Sequence, residues 1–180
     1  MKDWSAAAAA ALAGVVLLLG VLRFAARRPG YSHTRHTISE LGEAGARDAG
    51  RVAGLLFAPV GALLLAAAAL NGLAEPSSRP ALAVAAGYLL AAAFPCDPGS
   101  PLSGSVRQGL HNLGGAVEYV GGGLALLALG DGPLLRSTGV AALITASLLS
   151  MPVAARVRGA IQRAGEVALF IGAATAIGVA

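Results

Sequence analysis

Apolar residues occur in six long runs along the chain, separated by shorter polar segments. The runs cover residues 4–22, 52–73, 80–96, 110–129, 137–155 and 164–180. An α-helix needs about 20 apolar residues, within a range of roughly 17–25, to cross the hydrocarbon core of a bilayer. The pattern therefore predicts an all-α fold, a six-helix transmembrane bundle that forms a single integral membrane domain over residues 1–180.

The first run could imitate a secretory signal peptide, because Lys2 precedes it and alanines follow. However, its 19 residues without a charge exceed the roughly 7–15 residues of a usual signal core. Arg23, Arg27 and Arg28 then make a poor cleavage context. We expect this run to be a retained first helix.

The composition points to lipid as the solvent. Hydrophobic residues make up 56% of the 180 residues and charged residues only 12%, whereas soluble domains carry about 25% charged residues. The net charge of +4 does not indicate nucleic-acid binding, because the bases flank apolar runs as membrane-anchoring charges do. The single cysteine, Cys96, excludes an intramolecular disulfide. The predicted partner is therefore membrane lipid, and nucleic acid is excluded.

The connections between the runs differ in length and in charge. With six crossings, the connections 23–51, 95–109 and 156–163 fall on one side of the membrane. The two tight turns, residues 74–79 and 130–136, fall on the other side with both termini. The first side carries ten arginines, whereas the second carries three bases, Lys2, Arg79 and Arg136. Because cytoplasmic loops carry an excess of Lys and Arg, we expect the long loops in the cytoplasm and both termini outside the cell membrane.

The first long connection contains the candidate metal ligands His33, His36 and Glu40. On a helix, their spacings of three and four residues would place them on one face, and imidazole with carboxylate suits zinc or iron. In a competing interpretation, Thr37 and Glu40 form a capping box, and Gly42 ends a short helical turn. The sequence leaves both interpretations open and identifies no cofactor.

Asp97 and His111 are the candidate residues around the second long connection. Proline and glycine force a rigid turn there, and Asp97 would either satisfy the backbone of that turn or face the first loop. His111 opens the fourth run beside a predicted helix N-terminus, where the dipole disfavours a protonated ring. A carboxylate from Asp97 or Glu40 would orient the ring; alternatively, the ring caps its own helix and bonds a loop carbonyl.

Two glutamates lie inside predicted transmembrane helices. An ionisable group there is costly and tends to face a partner or water, so Glu118 is a site candidate, with structural pairing to an arginine as the alternative. Glu166 is expected to pair with Arg163, three residues earlier on the same helix. The fourth helix also has a smooth face that lacks side chains, formed by Gly114, Gly115, Gly121, Gly122 and Gly123. Such a face suits close helix packing or, alternatively, a ligand groove.

Polar groups at membrane depth must satisfy one another, so we expect a cluster on one side of the bundle formed by Ser39, Glu40, Asp97, His111 and Glu118. One hypothesis is a lipid-modifying enzyme in which His111 acts as general acid or base. The alternative is a non-catalytic lipid-binding scaffold or a small transporter. A cleft that reaches these side chains would distinguish the two. The sequence has no G-x-S-x-G, H-E-x-x-H or P-loop motif.

Three motifs carry a resemblance to a known family. They are Tyr31-Ser-x-x-Arg-x-Thr-Ile-Ser-Glu-Leu-Gly42, Phe94-Pro-Cys-Asp-Pro-Gly99 and Leu110-His-Asn-Leu-Gly114. In the order and helix context of these motifs, the chain resembles the bacterial and archaeal membrane family called domain of unknown function 998, over roughly residues 10–180. Some relatives carry a second cysteine near Ser100, and its absence here weakens the case for a cysteine-based site.

The chain is more loosely similar to the Frag/DRAM/Sfk membrane family. That family also has an Ile-Ser-acidic-x-Gly stretch after its first helix and a histidine at the start of its fourth. Because some members are linked to lipid remodelling and to lipid distribution between leaflets, the likeness implies lipid as the substrate class. It also implies a first loop that faces away from the cytoplasm, opposite to the orientation that the arginine distribution predicts.

Overall fold

The computed structural model describes residues 4–130 and 132–179; Lys2 and Ala180, which belong to the predictions above, lie outside this part. The described residues form six long helices and no β-strand. The helices are α1 (Ser5–Ala26), α2 (Ala49–Asn71), α3 (Arg79–Ala93), α4 (residues 106–128), α5 (Pro133–Leu149) and α6 (Arg158–Val179). The prediction of an all-α fold with six helices is confirmed.

Three of the helices, α1, α2 and α6, are long and apolar enough to cross a membrane. α5 is apolar but has only 17 residues, and α3 has 15. On α1, the outward side chains of Leu18, Leu19 and Leu22 are 50–60% exposed. Apolar side chains on the outside and polar side chains inside are the arrangement of a protein whose surface faces lipid. The apolar helices thus indicate a membrane-embedded protein.

The helices pack as a closed ring in chain order, and α3 contacts α6 across the middle. The connections 27–48, 94–105 and 150–157 lie together at one end of the bundle, which we call the loop end. There, the Ala44 N–H donates to the Cys96 carbonyl over 2.8 Å, and the Ala160 N–H donates to the Thr34 carbonyl over 3.0 Å. At the opposite end, Trp4 of the first turn lies beside Gly178 of the last.

The helices at the loop end begin earlier than the apolar runs suggested. α4 begins at Val106 instead of residue 110, and α6 begins at Arg158 instead of residue 164. Each helix start carries a buried glutamine, Gln108 in α4 and Gln162 in α6. Hydropathy detects only the part of a helix that is apolar enough for lipid. It misses these polar first turns, which are stabilised by contacts within the protein. Arg163 belongs to the same helix as Glu166, as predicted, although the apolar run itself began at residue 164.

Two of the helices contain a π-helical turn. One occupies Ala53–Phe57 of α2 and the other Val117–Gly121 of α4. Such turns insert one residue per helical turn and often occur at functional sites. The turn in α4 carries Glu118 and Tyr119, which are both buried.

Glycines bring the backbones of α4 and α5 into direct contact. A Cβ added to Gly139 would lie 2.9 Å from the Gly123 carbonyl oxygen, and one added to Gly123 would lie 3.0 Å from the Gly139 carbonyl oxygen. Gly114 makes a similar approach to α3. The packing interpretation of the smooth face holds for these glycines. Gly115 differs, because a Cβ there would meet nothing within 4 Å.

We expect Gly139→Ala to destabilise the bundle by about 1–3 kcal/mol, the usual cost of overpacking a close contact. The added methyl group would press on a backbone oxygen, which cannot rotate away as a side chain can. The measurement is thermal unfolding of the purified protein in detergent. Gly109→Ala on α4 is the matched control, because a Cβ there meets nothing within 4 Å and alanine favours the helix. Equal melting temperatures for the two variants would contradict the close approach.

Candidate functional site

His111 forms the centre of the polar groups at the loop end. Its ring is buried, with Nδ1 2.9 Å from the Phe94 carbonyl oxygen and Nε2 3.0 Å from the Ser39 hydroxyl oxygen. Because a carbonyl oxygen can only accept, Nδ1 carries the hydrogen and donates it to Phe94. In the neutral ring, Nε2 then has a free lone pair, which accepts the Ser39 O–H.

The helix around His111 differs from the prediction. α4 begins at Val106, and Ser105 caps it by accepting the Gln108 N–H over 3.2 Å. His111 is therefore in the second turn and does not open the helix or cap it. The helix dipole therefore does not account for a neutral ring at His111, because the effect of the dipole fades within the first turn. The predicted alternative of a bond to a loop carbonyl is realised with Phe94.

Ser39 is positioned by a turn that the sequence predicted. The Thr37 N–H donates to Glu40 Oε1 over 2.8 Å, and the Glu40 N–H donates to Thr37 Oγ1 over 3.3 Å. These reciprocal bonds are those of a capping box, and the 3₁₀ turn Ser39–Gly42 follows. The capping interpretation is confirmed. The Ile38 N–H donates to Gln162 Oε1 over 2.6 Å, which ties the turn to α6.

Glu40 does not orient His111. Its buried carboxylate accepts from Thr37 and, over 2.7 Å, from the guanidinium of Arg158. The same guanidinium donates to the carbonyls of Gly99 and Ser100. The ion pair thus fastens the first and second loops to the start of α6. Sequence reasoning missed Arg158, because a flanking arginine 118 positions from Glu40 gives no local signal.

Asp97 is also bound within its own loop. Its carboxylate accepts the N–H and the hydroxyl of Ser105, both over 2.8 Å, and the Arg107 guanidinium over 2.9 Å. These three donors lower the pKa of Asp97 to about 2, and the Ser105 N–H has the largest effect. The predicted contact of this carboxylate with His111 is not made. By accepting from these three donors, the carboxylate stabilises the turn that precedes α4.

The candidate metal ligands do not come together. Residues 33–38 are not helical, so His33, His36 and Glu40 share no helix face. His36 Nδ1 accepts the Ser32 N–H over 2.8 Å, and the Glu40 carboxylate is engaged by Thr37 and Arg158. In residues 4–130 and 132–179, no group of three or more His, Cys, Asp or Glu side chains could hold a metal ion.

A cavity of about 390 Å³ opens beside the Ser39–His111 pair, between α4 and α5. Ser39, His111 and Arg158 line it at the loop end with Leu149, the last residue of α5, whereas Tyr119 and Val120 line it farther along α4. Gly115 belongs to the lining as well, so the ligand-groove alternative applies to this one glycine of the smooth face. The half-buried Ser39 hydroxyl is therefore accessible to a molecule in the cavity.

Glu118 lies apart from this cluster. It faces Glu166 of α6, whose Oε1 accepts the Tyr119 hydroxyl over 2.6 Å and whose Oε2 accepts the Tyr88 hydroxyl over 2.8 Å. The expected Arg163–Glu166 pair is not formed, because the Arg163 guanidinium donates to the first loop instead. Sequence reasoning missed both tyrosines, which stand in apolar runs and resemble ordinary core residues there.

We expect Asp97→Asn to lower the melting temperature at pH 6 and to have little effect near pH 2. The unfolded carboxyl titrates at about 3.9, above the folded pKa of about 2. The carboxylate therefore contributes stability fully above pH 4, and this contribution is lost as the pH falls toward 2. Melting curves in detergent at several pH values measure the effect. Glu75→Gln, at an exposed position of the opposite end, is the control, and a wild-type advantage that persists at pH 2 would contradict the prediction.

Comparisons with known proteins give one match. Residues 11–180 match the model of a family described as Protein of unknown function (DUF998). No curated protein and no solved structure matches the chain. The match covers all three motifs that carried the resemblance. The chain therefore belongs to the DUF998 family.

Proposed function

We propose that the protein is a membrane-embedded lipid-modifying enzyme in which Ser39 is the nucleophile and His111 its general base. The observation that supports this is the 3.0 Å separation of Ser39 Oγ and His111 Nε2 at the wall of a cavity. A serine hydroxyl is a weak nucleophile unless an adjacent base accepts its proton. The Phe94 carbonyl is the third group, which orients the base.

The geometry fits transfer or hydrolysis of an acyl ester. Ser39 Oγ would attack the ester carbonyl carbon while its proton moves to His111 Nε2. The bond to the alcohol would then break, and the departing oxygen would take that proton from the ring. Water, activated by the same nitrogen, would release the acid and restore Ser39. Throughout, the Nδ1–H bond to Phe94 persists, because the carbonyl accepts from the neutral and the protonated ring alike.

The lining of the cavity supports a lipid as the substrate. Arg158, whose charge is paired with Glu40, lines the loop end of the cavity, where Ser100 and Thr37 add polar groups. The inner wall includes apolar groups, among them Ala116 and Val120, beside the ring of Tyr119. A lipid would place its polar part beside Arg158 and an acyl chain along the inner wall. The looser likeness to the Frag/DRAM/Sfk family favours the same substrate class.

The proposal includes the orientation in the membrane. All six helices would cross the cell membrane, with the loop end in the cytoplasm and both termini outside, as the distribution of arginines favours. α3 spans only about 22 Å at 1.5 Å per residue, less than the roughly 30 Å of a hydrocarbon core. Loops adjoining both of its ends would keep its terminal polar groups away from lipid.

One observation favours the alternative of a non-catalytic lipid-binding scaffold or small transporter. His111 joins Ser39 of the first loop to Phe94 of the second, so its bonds also hold the loop end together. In that case, the cavity would bind lipid without chemistry at Ser39. The experiment below distinguishes the two functions.

A fluorophosphonate probe, which reacts with activated serines, should label Ser39 of the purified protein. We expect Ser39→Ala to abolish labelling and His111→Gln to slow it by on the order of 100-fold or more, the contribution of a general base. Ser150→Ala is the matched control, because that hydroxyl lines the same cavity but donates to the Ala146 carbonyl over 2.8 Å. Its labelling rate should equal that of the wild type.

Lipid profiles and melting temperatures complete this test. If the variants fold and a lipid accumulates in membranes with His111→Gln, that lipid identifies the substrate. If the wild type is not labelled, membrane lipids are unchanged and both site variants melt markedly lower, the pair is structural and the enzyme proposal is wrong.

A further inference from the structure

Two carboxyl groups meet in the interior of the bundle, away from the cavity wall at Ser39. Glu118 of α4 is 7% exposed and Glu166 of α6 is 4% exposed. Their carboxyl groups are neighbours, close enough for each to affect the other. Two ionised carboxylates offer each other only acceptors, so a hydrogen bond between these neighbours requires a proton on one of them.

The hydroxyl groups around the pair show which carboxyl carries that proton. Both oxygens of Glu166 accept from tyrosine, Oε1 from Tyr119 over 2.6 Å and Oε2 from Tyr88 over 2.8 Å. This is the environment of an ionised acceptor. Glu118 Oε1, in contrast, is buried and has no hydrogen-bond partner within the described residues. Leaving an oxygen unpaired costs far less in a neutral acid than in a carboxylate.

Within residues 4–130 and 132–179, no basic side chain forms an ion pair that would balance a second negative charge here. The ionisable groups that face the pair are Tyr88 of α3, Tyr119 of α4 and, one turn away on α6, Arg163. The Arg163 guanidinium donates to carbonyls and to a tyrosine hydroxyl at the loop end. Among the described residues, neither glutamate takes part in an ion pair. Two adjacent charges inside a membrane bundle would therefore be uncompensated.

We infer that Glu118 and Glu166 form a proton-binding site, with Glu118 as the protonated donor and Glu166 as the ionised acceptor, and that the site exchanges its proton with the cavity through Tyr119. Tyr119 touches both regions, because it bonds Glu166 and lines the cavity. Gln162, one turn before Glu166 on α6, lines the cavity as well. The π-helical turn of α4 presents Glu118 and Tyr119 together toward α6.

Infrared spectroscopy of the full chain, purified in a maltoside detergent that has no carbonyl group of its own, tests this inference. At neutral pH the wild type should show the C=O stretching band of a protonated carboxylic acid. Glu118→Gln should remove the band, and its amide can still donate to Glu166, so the variant keeps the contact. Glu75→Gln, at an exposed turn, should leave the band unchanged. Tyr119→Phe should keep the band but slow its shift after transfer to D₂O several-fold.

Three results would overturn the inference. They are the absence of the band in the wild type at neutral pH, its survival in Glu118→Gln, and its loss when NaCl or KCl is added, which would identify a metal-cation site instead. The first and third use only the wild type and do not depend on the folding of a variant. Ser39→Ala should retain the band, so this inference and the proposed enzyme activity can fail independently.

Discussion

A polar group inside a lipid-facing bundle has no water to bond, so it must find its partner within the protein. At the loop end of this chain, the ion pair of Glu40 and Arg158 meets that requirement. One guanidinium reaches the carboxylate of the first loop and two carbonyls of the second loop from the start of α6. Removing either partner would leave the other largely buried and unpaired, which is far more costly than the loss of a surface ion pair.

The geometry of the candidate nucleophile depends on this ion pair step by step. Arg158 holds the Glu40 carboxylate, the carboxylate closes the capping box with Thr37, and the box sets the turn that begins at Ser39. The other half of the pair depends on the end of α3. α3 ends at Ala93, which leaves the Phe94 carbonyl free to accept from His111. Two loops and the second turn of α4 therefore have to be in place before the hydroxyl meets the imidazole.

This dependence explains how much of the molecule could be predicted. The six helices follow from apolar runs, and the capping box follows from two residues three positions apart, so both are local signals. The partners of His111 and Glu166 are not local. Phe94 contributes a backbone carbonyl, which every residue type has, and Tyr88 bonds a carboxylate 78 positions away. The predicted contact of Asp97 with His111 is absent for the opposite reason. Its carboxylate has local partners, because Ser105 and Arg107 donate to it.

The two polar regions of the bundle are joined by one face of α6. Arg158, Gln162 and Glu166 are spaced four residues apart, so they line one stripe of the helix. Arg158 donates to Glu40 at the loop end, and Gln162 accepts from the Ile38 N–H. Glu166 accepts from two tyrosine hydroxyls.

Gln162 and Glu166 of this stripe, together with Arg163, contribute to the low hydropathy of α6, whose most apolar 18-residue segment averages 1.2, the lowest of the three helices suited to cross a membrane. The stripe also requires the first loop to lie against the helix. A Cβ at Gly159 would overlap the carbonyls of His33 and His36, so glycine at this position lets the loop approach. A helix with a wholly apolar inner face could span the membrane as well. However, it could not anchor the loops, and it would have no row of polar side chains between the loop end and the buried carboxyl pair.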